Sequence, residues 1–176
     1  MKPNSLHELY LEQLRDLYDA EHQILKALPK MIEAANSQEL KNALNAHLKV
    51  TEKHATRIEG IFEKLGEKAK AEKCKGMHGV IEEGSDLIGG IKDAAVRDAA
   101  IIASAQRVEH YEMAGYGTAR NFATLLEQSD ASRALQQTLD EEKEADKTLT
   151  MLASKINGNA AGKAAGSEHD TGRRVA

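Results

Sequence analysis

Carboxylates and imidazoles recur in this chain at positions where a helical pattern calls for leucine. The first amphipathic stretch runs Leu14, Tyr18, Glu21, Leu25, Leu28, with Glu21 on the apolar line. A second stretch sets His47, Thr51 and His54 between Leu44 and Ile58, four and three residues apart. A third places Glu109, Glu112 and Tyr116 after Ile102 and Ala105, and a fourth carries Glu142 and Asp146 between Leu139 and Leu149. An ionised carboxylate in an apolar core costs several kcal/mol unless its charge is compensated. Protonation, basic partners or a bound cation could do this. Few basic residues share the level; Arg57 could reach inward, whereas Arg107 and Lys143 read as solvated. A pair of metal ions meets the charge most directly. The expected ligands are Glu21, His54, Glu109, Glu112, Glu142 and Asp146. A set rich in oxygen with one imidazole suits iron or manganese better than a closed zinc site.

The elements that must position these groups are helices. Aromatic residues make up 3% of the 176 residues, there is no Trp, and Pro occurs twice, beside abundant Ala, Leu, Glu and Lys. The 41% of hydrophobic residues is enough to close a core and excludes a disordered chain. Ser5-Leu6-His7-Glu8 is a capping-box pattern opening the first helix, in which Pro29 should produce a kink or break. Ser37 caps a second long helix that Gly66 ends. After a charged loop over 67–76, a short amphipathic helix covers Met77 to Ile88, closed by Gly89-Gly90. The third long helix starts near Asp93, and the fourth follows the Ser129-Asp130 turn. The stripe fades beyond Asn157, so 1–157 reads as one bundle and the Gly/Ala-rich stretch 158–176 as a flexible tail.

Two short-turned hairpins joined by a long crossover predict an all-α, ferritin-like four-helix bundle, with the short helix in the crossover between the second and third long helices. Counting residues from each turn sets the levels. Glu21 should face the Thr51–His54 level, with Glu52 beside it, and Glu112 should face Asp146. His47 falls roughly one and a half turns from that level, a weaker candidate. The Gly115/Gly117 pair predicts a close-packing point, and His22 and His110 lie beside inward positions rather than on them.

Other chemistries find little support. Lys+Arg 24 against Asp+Glu 28 gives a net charge of −4, which argues against a nucleic-acid partner. No apolar run reaches the roughly 18–20 residues of a membrane span. The start lacks the apolar core of a signal peptide, and one cysteine, Cys74, fits a reducing compartment; a cytoplasmic location is expected. Cys74 and His78 have no second pair to complete a zinc knuckle. There is no glycine-rich nucleotide fingerprint and no strand-turn-helix setting for a nucleophile. Surplus apolar residues on the first helix (Leu6, Leu11, Leu17, Ile24) and the crossover stripe predict a homodimer.

Leu17-Tyr18-Asp19-Ala20-Glu21, Val108-Glu109-His110-Tyr111-Glu112 with Tyr116-Gly117-Thr118, Leu139-Asp140-Glu141-Glu142-Lys143 with Asp146, and Val80-Ile81-Glu82-Glu83 resemble the YciE/YciF-like bacterial stress proteins over residues 5–156. The resemblance implies a ferritin-like, commonly dimeric, stress-associated protein. Wider ferritin-like relatives bind two iron or manganese ions through one Glu from each of two helices and a Glu-x-x-His from the other two. Glu21 and Glu112 match the single glutamates. The other half departs: Thr51 precedes His54 where Glu is expected, and Ala145 follows Glu142 where His is expected. Three functions follow as alternatives: a metal-dependent oxidase or peroxide-handling enzyme, a metal-binding protein without turnover, and a structural stress protein whose polar layer binds no metal.

Overall fold

A computed structural model describes residues 3–167, with side chains as far as residue 162. It contains five helices: α1 (Leu6–Ala34), α2 (Gln38–Lys64), α3 (Lys75–Gly89), α4 (Ala94–Leu125) and α5 (Ser129–Ser167). No strand occurs among the described residues.

Local chemistry sets the boundaries. Glu8 N donates to Ser5 Oγ at 3.1 Å, while the Glu8 carboxylate reaches one residue beyond the usual box, to Asn4 N at 2.7 Å. Helix α2 ends at Gly66, whose φ of 69° puts it in the left-handed region. Glu67 N donates to Phe62 O and Gly66 N to Glu63 O, the paired bonds that satisfy the last carbonyls. The kink or break that Pro29 predicts in α1 does not occur, and the helix runs uninterrupted from Leu6 to Ala34. Burial of Ile24 and Leu28, with Met31 and Ile32 packed on the same cluster, offsets the roughly 3 kcal/mol that an interior proline costs. Helix α5 also outruns the expected end at Asn157, continuing to Ser167. Ala160 and Ala161 favour the helix and help carry it past Gly158 and Gly162. The proposed tail therefore begins inside a helix, and residues 168–176 lie outside the described region.

Contacts between elements fix the topology. The Asp98 carboxylate of α4 accepts from Asn36 N and Ser37 N at the α1–α2 turn, while Leu17 of α1 lies where a side chain at Gly115 would be, 2.8 Å from a built Cβ. Helices α1 and α4 are thus antiparallel, and Gly115 is a close-packing point. Gly117 has open space instead. Lys155–Glu39 and Lys64–Asp130 pairs at opposite ends make α2 and α5 antiparallel. It follows that α2 and α4 run the same way, so residues 65–93 must traverse the bundle. They do so over α1 and α4: Glu72 N donates to Arg15 O, Cys74 N to Asp19, and Gly84 presses on Ser104. This is the ferritin-like connection.

The core is divided. One apolar cluster gathers Ile24, Leu28, Leu40, Leu44, Ile101 and Leu149. The other gathers Tyr10, Leu14, Ile58, Phe62, Ala119 and Leu135. Between them sits a buried layer of Glu21, His47, Thr51, His54, Glu109, Glu112 and Glu142. Leu11, Leu17 and Ile24, expected as surplus dimer surface, are buried within the chain. Ile24 packs in one cluster with Met77, Val80 and Ile81 of α3, and Leu17 meets Gly115 of α4, so the crossover forms an extra layer that a four-helix reading undercounts.

Candidate metal centre

Two neighbouring groups form the polar layer, and they share Glu142. In the first, ligating atoms of Glu21, His54 and Glu142 lie within 4.8 Å of one another. His54 Nδ1 is 2.8 Å from Glu142 Oε1 and 3.6 Å from Glu21 Oε1. In the second, His47, Glu109, Glu112 and Glu142 meet the same spacing. Here His47 Nε2 is 3.4 Å from Glu109 Oε1 and 3.9 Å from Glu142 Oε2. All four long helices contribute: α1 gives Glu21, α2 both histidines, α4 Glu109 and Glu112, and α5 Glu142. Donor atoms around one hard cation, bound at roughly 2.0–2.6 Å, are separated by at most about twice that distance, so both groups fit an ion.

Each group is held differently. Tyr116, fully buried, donates its hydroxyl to Glu21 Oε1 in a very short contact. His54 Nε2 lies 2.8 Å from Glu141 Oε2, and when Nε2 is the donor of a neutral ring, Nδ1 turns its lone pair toward Glu21 and Glu142. Glu141 is in turn fixed by Arg57 at 2.9 and 3.3 Å, and Arg57 also donates to Thr138. No comparable bonds brace the second group.

The free polar atoms are concentrated here. Of eleven buried side-chain N and O atoms without a hydrogen-bond partner among the described residues, eight belong to Glu21, His47, His54, Glu109, Glu112 and Glu142. Buried polar groups are ordinarily satisfied, so such a cluster needs an explanation. Four carboxylates and two imidazoles converging in this way fit two divalent cations in both charge and donor type.

Without a cation, protons compensate the buried charge. Burial pushes Glu21 up to about 8, with the His54 charge pulling against it and Glu142 adding to the rise. Burial and then the charge on Glu142 raise Glu109 and Glu112 well above the ordinary carboxyl range. Burial would raise Glu142 as well, but contact with His54 and the charges on His47 and His54 hold it low. Burial opposes a charge on both histidines. It prevails at His47, whereas Glu142, Glu21 and Glu141 raise His54. Hydrogen bonds from Arg57 and Gln137 hold Glu141 at about 2 against its partial burial.

Five of the six expected ligands, Glu21, His54, Glu109, Glu112 and Glu142, fall in these groups. Asp146 does not. It is about a quarter exposed, accepts from Gln106 Nε2 at 3.0 Å, and lies 3.4 Å from the exposed His110. The counting error is one turn. Helix α4 stops at Leu125, so the symmetric point of the hairpin lies before Ser129-Asp130 and Glu112 meets Glu142 instead of Asp146. His47 belongs to the second group although level-counting set it aside; seven residues before His54, it shares that residue's face. Thr51, buried beside them, donates to the His47 carbonyl, and Glu52 is exposed. Glu141 was missed, and its signal was weak, because the run Asp140-Glu141-Glu142 does not reveal which acid braces a histidine. His22, bound to the Tyr18 carbonyl at 2.7 Å, and His110 stay outside the site.

Comparison with known proteins agrees with this architecture. Residues 5–161 match the family described as Domain of unknown function (DUF892). Protein YciF of Escherichia coli K12 is 40% identical over 166 residues, covering 93% of this chain and all of that one. The crystal structure of the E. coli stress protein YciF superposes with a TM-score of 0.85 at 39% identity, over 89% of this chain and 99% of that one. YcfI of Rhodopseudomonas palustris, described as a candidate structural protein, gives 0.82 at 45% identity, over 84% and 94%. A Xanthomonas campestris protein at 18% identity shares the fold, with a TM-score of 0.74 over 90% and 98%.

Proposed function

The chain belongs to the DUF892 family, with a bacterial stress protein among its relatives, and from that premise we propose that it is a stress-response protein that binds two iron or manganese ions in its core. The observation that carries this reading is the cluster of unpartnered carboxylate and imidazole atoms in two groups joined at Glu142. Glu142 would bridge the two ions, Glu21 and His54 would complete the first site, and His47, Glu109 and Glu112 the second. When bound, iron or manganese would supply redox chemistry toward oxygen or peroxide. The chain's own contribution is to orient His54 through Glu141, to hold Glu21 through Tyr116, and to flank the Glu21–His54 half with an apolar cluster on each side.

The same reading takes the protein to be cytoplasmic and dimeric. Cys74 is a free thiol, and no described helix is long and apolar enough to cross a membrane. Exposed Leu87, Val96, Leu125 and Met151 offer apolar surface to a second copy. The description of YcfI favours a second reading, a structural dimer whose polar layer stays protonated and metal-free. Elemental analysis of protein purified without chelator separates the two. About two ions of iron or manganese per chain supports the metal reading. No metal, together with a melting curve unmoved by added iron or manganese, supports the structural one.

A further inference from the structure

Burial across the polar layer is graded. His47 is 9% exposed and Glu109 3%, against 1% for Glu112 and 0% for Glu21, His54 and Glu142. The two least buried ligands are also the two that line an open groove of about 670 Å³ between α1, α3 and α4. Two further hollows, at the α1–α2 turn and along α5, reach none of the six ligands. The layer therefore comes closest to water at one edge, where His47 and Glu109 of the second group meet the groove.

The groove suits passage better than retention. A divalent ion with six waters needs about 200 Å³, so it can enter hydrated. Ile24, Leu28, Ala105 and Val108 on the inner walls offer a cation no ligand, so it keeps its waters and does not stall before His47. Inside, donors follow at short steps. His47 Nε2 lies 3.4 Å from Glu109 Oε1 and 3.9 Å from Glu142 Oε2, and Glu142 Oε1 lies 2.8 Å from His54 Nδ1. His47 Nε2 and Glu109 Oε2 are closed to solvent and lack hydrogen-bond partners. A turn of the His47 side chain, which no hydrogen bond at Nε2 holds, would open them.

We infer that this groove is the path by which a divalent cation reaches the metal centre, entering between His47 and Glu109 and passing to the Glu21–His54 half through Glu142. The inference rests on the metal reading above. It requires only that the groove stay open to water, and no bound partner is needed. Charges at the mouth then act on the passing ion: exposed Glu82 and Asp86 on the α3 side attract it, and exposed Lys26 and Lys30 on the α1 side repel it.

The test uses cobalt(II) and the full-length protein freed of metal. Stopped-flow mixing gives the uptake rate from the cobalt absorption bands, and an equilibrium titration of the same protein gives the affinity. Glu82→Gln with Asp86→Asn should slow uptake about threefold, and Lys26→Gln with Lys30→Gln should speed it about threefold, both effects fading in high salt. Ala27→Trp, which narrows the groove from α1, should slow uptake about tenfold or more, because the ion must then wait for another opening. Affinity should stay within about twofold in all three, since none of these residues is a ligand. If Ala27→Trp does not fold, the two rim pairs decide, because all four side chains are exposed. Wild-type uptake rates in both rim pairs, or in a folded Ala27→Trp, would overturn the path and leave the metal centre standing. Slower uptake with an equal loss of affinity would also overturn it, by making these residues part of binding. A wild-type protein that binds no cobalt at equilibrium would defeat the metal reading, and the path with it.

Discussion

The two halves of the polar layer share a ligand but differ in support. Around Glu21 and His54, Tyr116, Glu141 and Arg57 fix each ligand from behind. Around His47, Glu109 and Glu112 there is no such scaffold, and His47 and Glu109 border an open groove between α1, α3 and α4. A braced half pays little to reorganise when an ion binds. The unbraced half is free to rearrange. The comparison teaches that one buried polar layer, held by four helices, is pre-organised on one side and left adaptable on the other.

Removing what the halves share should have the largest effect. Glu142→Gln is expected to cut bound metal from about two ions per chain to below about one, measured by elemental analysis; if two ions remain, Glu142 is no bridge. Next is the brace. Glu141→Gln should weaken binding at the Glu21–His54 half by about 10–100-fold, with the other half little changed, as cobalt titration would resolve. Equal loss at both halves would dissolve the distinction between them.

Charge gives a third way to sharpen it. In the unfolded chain Glu21, Glu109 and Glu112 ionise near 4.5, whereas in the fold burial keeps them protonated to higher pH, about 8 for Glu21. Between those limits the native state binds more protons than the unfolded state, so stability of the metal-free protein falls as pH rises. Its melting temperature should therefore decline from about pH 5 to 8, and added metal should cancel the decline because cations replace the protons. Glu112→Gln should stabilise the metal-free protein by about 1–3 kcal/mol at pH 8 and by little at pH 4, while reducing the gain from metal. Stabilisation with no change in the response to metal would favour the metal-free structural reading.

The bundle was legible because its signals are local. Ser5, Ser37, Gly66, Asp93 and the Ser129 turn sit at or next to helix boundaries, and connection lengths alone require the crossover. Glu21, His54, Glu109, Glu112 and Glu142 were legible because they interrupt apolar stripes. What failed depended on exact register. A turn centre misplaced by a few residues exchanged Glu142 for Asp146 as the partner of Glu112. Counting from the turns expects one level and so sets His47 aside, whereas the two ligand groups span two turns of α2. The bracing of His54 by Glu141 and Arg57 could not be read, since exposed and half-buried charges look alike in sequence. The smallest predicted effect checks this register: Asp146→Asn should change metal affinity less than about threefold, and a larger loss would return Asp146 to the site.

The most direct measurement is anomalous X-ray diffraction at the iron and manganese edges, from crystals of protein prepared without chelator. Two peaks on either side of the Glu142 carboxylate, one within bonding distance of Glu21 and His54 and the other of His47, Glu109 and Glu112, are the result this account predicts. Protein with no anomalous peak, in which Glu21, Glu109 and Glu112 are hydrogen-bonded to one another as protonated carboxyls, would contradict it.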